Sequence, residues 1–211
     1  MSRYRGQSAD ERQAARRRQL LDAGFELLGE EGWSATTVRG VCARAKLTPR
    51  FFYESFPDID ALAVAVFDEI VERATVRFFA ALQDAPAEPQ ARVRAGLEAL
   101  IGELTDDPRR ARIAFVEALG SEALTRRRLE ILDVFAQVAS AEGRAAYRPP
   151  AEADAFVDLA AKMVAGGMAE LLIEWTAGRL PHTREQLVED CVDMFGAIAE
   201  AAAKVARRRV P

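Results

Sequence analysis

The residues best equipped for chemistry sit together in the segment Leu47-Thr48-Pro49-Arg50-Phe51-Phe52-Tyr53-Glu54-Ser55-Phe56. If Phe52 and Phe56, four apart, point inward, then Thr48, Pro49, Arg50, Phe51 and Tyr53 are left outward. An arginine offers a two-donor fork that suits guanine, and a phenyl ring suits the methyl group of thymine. This is the chemistry of reading a polymer rather than of making bonds. The alternative is a solvated Arg50 beside a loosely packed Phe51. Catalysis and metal binding are poorly supplied elsewhere. His182 is the only histidine, and Cys42 and Cys191 are the only cysteines, so no zinc site or Cys–His pair has a usual spacing. A helical di-iron centre would need a Glu-x-x-His pair on each of two helices. The expectation is a protein that is not an enzyme and holds no metal or cofactor.

A reading segment needs elements to brace it. From Asp10, Leu20, Gly24, Leu27 and Leu28 recur at helical spacing until Gly32 stops the run. Thr37 begins a second helix to Ala45, with Val38, Val41, Cys42 and Ala45 on one face. Thr48 caps a third with Pro49 at its first position, to about Phe56. That helix is too short to be stable alone. Asp58 can cap a long fourth helix to about Gln83. Five more follow: Gln90–Thr105, Pro108–Leu119, Glu122–Tyr147, Glu152–Gly178 and Thr183–Arg208. The fold class is therefore all-α, with nine helices and no strand.

Composition agrees with a globular chain, 50% hydrophobic and 29% charged over 211 residues. Residues 1–56 carry ten Lys/Arg against seven Asp/Glu, a balance of +3; the remainder carries nineteen against twenty-six, a balance of −7. A basic head on an acidic body suits a DNA reader joined to a regulatory unit. The cluster Arg16-Arg17-Arg18 is either a solvated face or a phosphate-facing one. The longest wholly apolar run, Ala61 to Phe67, is far short of a membrane span. The chain opens on Ser2-Arg3-Tyr4-Arg5 with no apolar segment behind it, so the expected location is cytoplasmic.

Leu20-Leu21-Asp22-Ala23, Glu31-Gly32-Trp33, Thr36-Thr37-Val38 and the Leu47–Phe56 segment together resemble the TetR-family DNA-binding domain over roughly residues 11–62. The resemblance implies a flexible arm over 1–10, a helix-turn-helix domain over 11–57 and a regulatory and dimerisation domain over 58–211. It implies that Thr37 and Tyr53 bond phosphates while Arg39, Thr48, Arg50 and Phe51 face the major groove. Two positions depart from the family pattern. Lys46 stands where the turn often has glycine, and must take a left-handed conformation at some cost while adding charge near phosphates. Ile59 stands where a phosphate-binding lysine is common, so that contact is not carried over.

The family implication for the body is a helical homodimer that responds to a small apolar effector and is released by it from a palindromic double-stranded DNA operator. Asp107–Glu117 and Gly166–Trp175 resemble segments of such regulatory domains. Stripes on the last two helices, including Phe156, Met163, Leu171, Leu187, Cys191, Phe195 and Ile198, read as core plus dimer interface. Phe78, Phe79, Phe115, Phe135, Gly167, Met168 and Trp175 are the candidates to line an effector pocket. The adjacent Gly166 and Gly167 predict a close approach by another helix or a ligand. Glu117, interrupting an apolar run, reads as a surface or capping carboxylate, or as one that orients a ligand. A ligand-blind architectural DNA binder and a helical enzyme or lipid carrier are the competing readings.

Overall fold

The computed structural model describes residues 8–209, and within them every regular element is helical. Helix α1 (Ala9–Glu30) starts one residue earlier than Asp10. Ser8 accepts from the Glu11 amide at 3.0 Å while the Glu11 carboxylate accepts from the Ser8 amide at 2.7 Å, and this reciprocal cap recruits the first turn. Of the expected arm, residues 1–7 lie outside the described residues. Helix α2 (Val38–Ala45) is capped by Thr37, whose hydroxyl accepts from the Gly40 amide at 3.1 Å. Lys46 does take the left-handed conformation, with φ 55°. Helix α3 (Pro49–Tyr53) is shorter than Pro49–Phe56, because Pro57 discourages helix in the residues before it. Thr48 occupies its cap position without making the side-chain bond, and Pro49 fixes the first turn instead.

Helix α4 (Ile59–Asp84) does not stop at the edge of the head. Leu62, Ala63 and Val66 are buried, and Leu62 and Val66 close over Gly24 of α1. The three-helix head is thus completed by the first turns of the body. Its core is Leu20, Leu27, Leu28, Val41, Cys42, Phe52 and Phe56.

The body consists of α4 with α5 (Pro89–Thr105), α6 (Pro108–Ala111), α7 (Glu122–Tyr147), α8 (Asp154–Thr176) and α9 (Arg184–Arg209). The expected single helix Pro108–Leu119 is instead α6, then a π turn (Arg112–Val116), then a 3-10 turn (Glu117–Leu119). A π turn inside a helix widens it and commonly marks a functional position. Cys42 and Cys191 are buried free thiols, and burial pushes both thiol pKa values up. Among the described residues no helix is long and apolar enough to cross a membrane.

Candidate nucleic-acid interface and regulatory cavity

On the head, Thr37, Arg39, Lys46, Thr48, Pro49, Arg50 and Tyr53 are exposed, while Phe51 is half-buried. Arg50 is 84% exposed and donates to Glu54 at 3.1 Å. Phe51 does not stand alone on that surface. The Arg16 guanidinium lies over its ring at 4.5 Å, and Arg16 also reaches Glu54 at 3.6 Å. The arginine cluster resolves in the same way. Arg17 covers the Phe56 ring, and Arg18 is shared between Asp22 and Glu69. These three cations are bracing groups. Arg44 is likewise held by Glu26, Glu30 and Glu31. Arg39 and Lys46, by contrast, have no anionic partner among the described residues. Beside the exposed Tyr53 hydroxyl and the Thr37 hydroxyl, whose proton is free to donate, they form a cationic, donor-rich surface around α3.

The body encloses a cavity of about 530 Å³, the size of a small-molecule site. Its wall includes Phe78, Phe115, Phe135 and Met168. Phe79, Gly167 and Trp175 are not in it. Phe79 is turned outward and 40% exposed, one residue round the helix from Phe78. Trp175 donates its indole N–H to the His182 carbonyl at 2.8 Å, which holds it against the loop before α9. A Cβ at Gly166 or Gly167 would meet nothing within 4 Å, so the glycine pair faces out of the chain rather than toward a packed neighbour. Leu187 and Cys191 are buried within the chain, and Phe195 turns partly to the cavity, so these residues serve core and wall here rather than an open interface. Phe156 and Leu171 are half-buried. Leu159, Met163, Met194 and Ile198 are the apolar residues that α8 and α9 leave exposed.

A polar seam joins head to cavity. Arg112 donates to the carbonyls of Gly29 and Glu30 at 3.3 and 3.0 Å, and to Glu117 at 2.8 Å. Glu117 in turn accepts from the Trp33 amide at 2.6 Å. Gly32 sits between them at φ 87°, where a Cβ would be strained and would lie 2.9 Å from Arg112. Arg109 stacks on Phe25 of α1 and ion-pairs with Asp107, whose carboxyl it holds below the ordinary range. On the body side, Arg110 anchors α6 to the buried Glu103, which also receives Arg73 and Arg77 at 3.1 and 2.7 Å. Glu117 therefore binds the head rather than a ligand. The sequence hinted at Glu103 only as a carboxylate interrupting the apolar run Leu100–Leu104.

The family model described as "Bacterial regulatory proteins, tetR family" matches residues 20–66. Over 114 residues the chain is 31% identical to the HTH-type transcriptional regulator EthR of Mycolicibacterium smegmatis, covering 54% of this chain and 50% of that protein. The chain thus matches about half the length of this relative. Among solved structures, a transcriptional regulator from Pseudomonas aeruginosa PAO1 superposes with a TM-score of 0.74 at 18% identity, over 97% of this chain and 98% of that one. The fatty acid degradation regulator FadR from Bacillus halodurans gives 0.72 at 16% identity, over 85% and 94%. At such identities these two likenesses concern the fold.

Proposed function

We propose, from the match of residues 20–66 to the TetR-family model, that the chain is a homodimeric TetR-family repressor that leaves a palindromic operator when a small effector fills the body cavity. The observation that carries the DNA-binding part is the surface around α3. Arg39 and Lys46 are exposed without an internal anion, and Arg50 is tied only to an exposed carboxylate. Releasing Glu54 costs about 0–1 kcal/mol, whereas one bidentate contact to guanine discriminates by about 1–3 kcal/mol.

The regulatory part rests on the π turn. Ala114 and Phe115 form part of the cavity wall, while Arg112 at the start of the turn and Glu117 just beyond its end grip the last residues of α1 and the amide of Trp33. A ligand that displaces Phe115 would pull on the base of the head. It can shift the head only by its difference in affinity for the two arrangements. The dimer is supported by the unburied apolar strip. Met163, Gly166 and Gly167 share one face of α8, and Met194 and Ile198 lie four apart on α9.

Selection from random duplex DNA tests this reading. The full chain should enrich a two-fold symmetric site and protect two half-sites on successive helical turns. Sedimentation should give a dimer that Met163→Glu combined with Met194→Glu converts to folded monomer. Enrichment of no common sequence, or a wild-type monomer at micromolar concentration, would contradict the proposal.

A further inference from the structure

The cavity has a shape as well as a volume. Its wall follows α4 from Phe67 to Leu82, α5 from Pro89 to Leu104, α7 from Arg128 to Tyr147 and α8 from Val157 to Leu172. At 1.5 Å per helical residue those stretches run about 23 to 28 Å. Three pairings fix which parts lie side by side: Arg127 with Asp68 at one end, the Phe78 and Phe135 rings at 5.6 Å midway, and Arg92 with Glu142 at the other. Aliphatic and aromatic side chains make up most of the wall over that length, so the space suits an elongated apolar group.

The charges in the wall are unevenly satisfied. Arg92 donates to both oxygens of Glu142 and to the Leu82 carbonyl, each at 2.8 Å. Hydrogen bonding to Arg92 holds the Glu142 carboxyl below its ordinary range, so this end is an ion pair with no charge to spare. Arg128, on the wall at the opposite end, is half-buried and has no hydrogen bond or ion pair among the described residues. That half-buried guanidinium has no anion beside it, and a ligand carboxylate placed there would supply the charge-assisted partner it lacks.

We infer that the cavity takes a long-chain monocarboxylate, with its head group at Arg128 and its alkyl chain extended toward Pro89 and Tyr147. This deepens the effector reading and rests on it. The Arg92–Glu142 pair at the far end leaves no free cation to receive a second carboxylate, so the ligand class is the monoanion rather than the dicarboxylate. Phe67, Phe115 and Met168 all line the cavity, and the π turn that carries Phe115 comes shortly before the start of α7, the end at which Arg128 lies. A bound carboxylate would therefore lie beside the π turn that grips α1.

Calorimetric titration of the full chain without DNA, at submicellar concentrations of octanoate, dodecanoate, palmitate, hexadecanol and hexadecylamine, tests the inference. Affinity should rise about threefold to fourfold per added methylene until the cavity is filled, as burial of a CH₂ group predicts. Palmitate should bind at least tenfold more tightly than hexadecanol, and hexadecylamine should bind weakest. Arg128→Gln should remove the preference for palmitate over hexadecanol, Arg128→Lys should restore part of it, and Arg126→Gln should leave it unchanged. Equal binding of palmitate and hexadecanol to the unmodified chain overturns the inference without recourse to any variant. So does a palmitate affinity that Arg128→Gln leaves intact. If palmitate binds through Arg128 yet does not release the operator, the ligand class stands and the effector reading falls. If hexadecanol releases the operator and palmitate does not bind, the effector reading stands and the ligand class falls.

Discussion

Phe52 in the head exposes no surface at all, whereas Phe135 in the body gives its ring to a cavity of about 530 Å³. Both residues lie on helices and both pack edge-on or tilted against another aromatic ring. The head spends its aromatics on rigidity, because a five-residue reading helix must be held by its neighbours. The body leaves its aromatics around a void. The same residue type therefore reports stability in one region and a binding volume in the other, and only packing tells them apart.

Truncating the two phenylalanines is the sharpest way to break that comparison. Phe52→Ala should destabilise the chain by about 3–5 kcal/mol in urea titration, since it opens a cavity in a filled core. Phe135→Ala, at a wall that already borders a void, should cost less than half as much. Equal losses would mean that the body is packed as tightly as the head.

The next effect in size is on DNA. Arg50→Ala should weaken binding to the preferred operator by about 1–3 kcal/mol and relax one base position. Arg44→Ala should leave operator specificity unchanged, because Arg44 is committed to three carboxylates on and just beyond the end of α1. Measuring both by fluorescence anisotropy separates a reading arginine from a bracing one. A smaller change is expected at the seam. Glu117→Gln keeps the side chain's size but weakens its grip on Arg112 and the Trp33 amide. Operator affinity without ligand should move little, while the coupling between effector and operator should fall by about 0.5–2 kcal/mol. Unchanged coupling would route the signal elsewhere. The smallest effect is predicted for Gly167→Leu. With nothing within 4 Å of the added Cβ, the isolated chain should gain about 0.5–1 kcal/mol from helix propensity, although the dimer should weaken.

The head was readable from sequence because its signals are local. Thr37, Lys46, Thr48 and Pro49 act through the backbone of their own turns, and helical spacing named the buried Val41, Cys42, Phe52 and Phe56. The Arg16 stack on Phe51 was not readable, since it joins residues far apart in the chain. The body was legible as a set of helices, less so as a site. Periodicity says which residues share a face but not whether that face meets a neighbour or a void. That is why Phe78 and Phe135 lie on the cavity and Phe79, Gly167 and Trp175 do not. Arg128 was hidden inside the run Arg126-Arg127-Arg128, and only its two neighbours' ion pairs reveal it as the unpaired member. The π turn had no sequence signal, because a widened turn depends on what packs against it.

The central claim is that the surface around α3 reads DNA through a few cations and donors on a rigid head. Its most direct test is the salt dependence of binding to the selected operator, measured for the unmodified chain and for Lys46→Ala and Arg50→Ala. Affinity should fall steeply and linearly on a logarithmic salt scale. Lys46→Ala should reduce the slope by about one and weaken all sequences alike, and Arg50→Ala should act on the preferred operator alone. Salt-independent binding, or slopes and specificities identical in all three proteins, would contradict it.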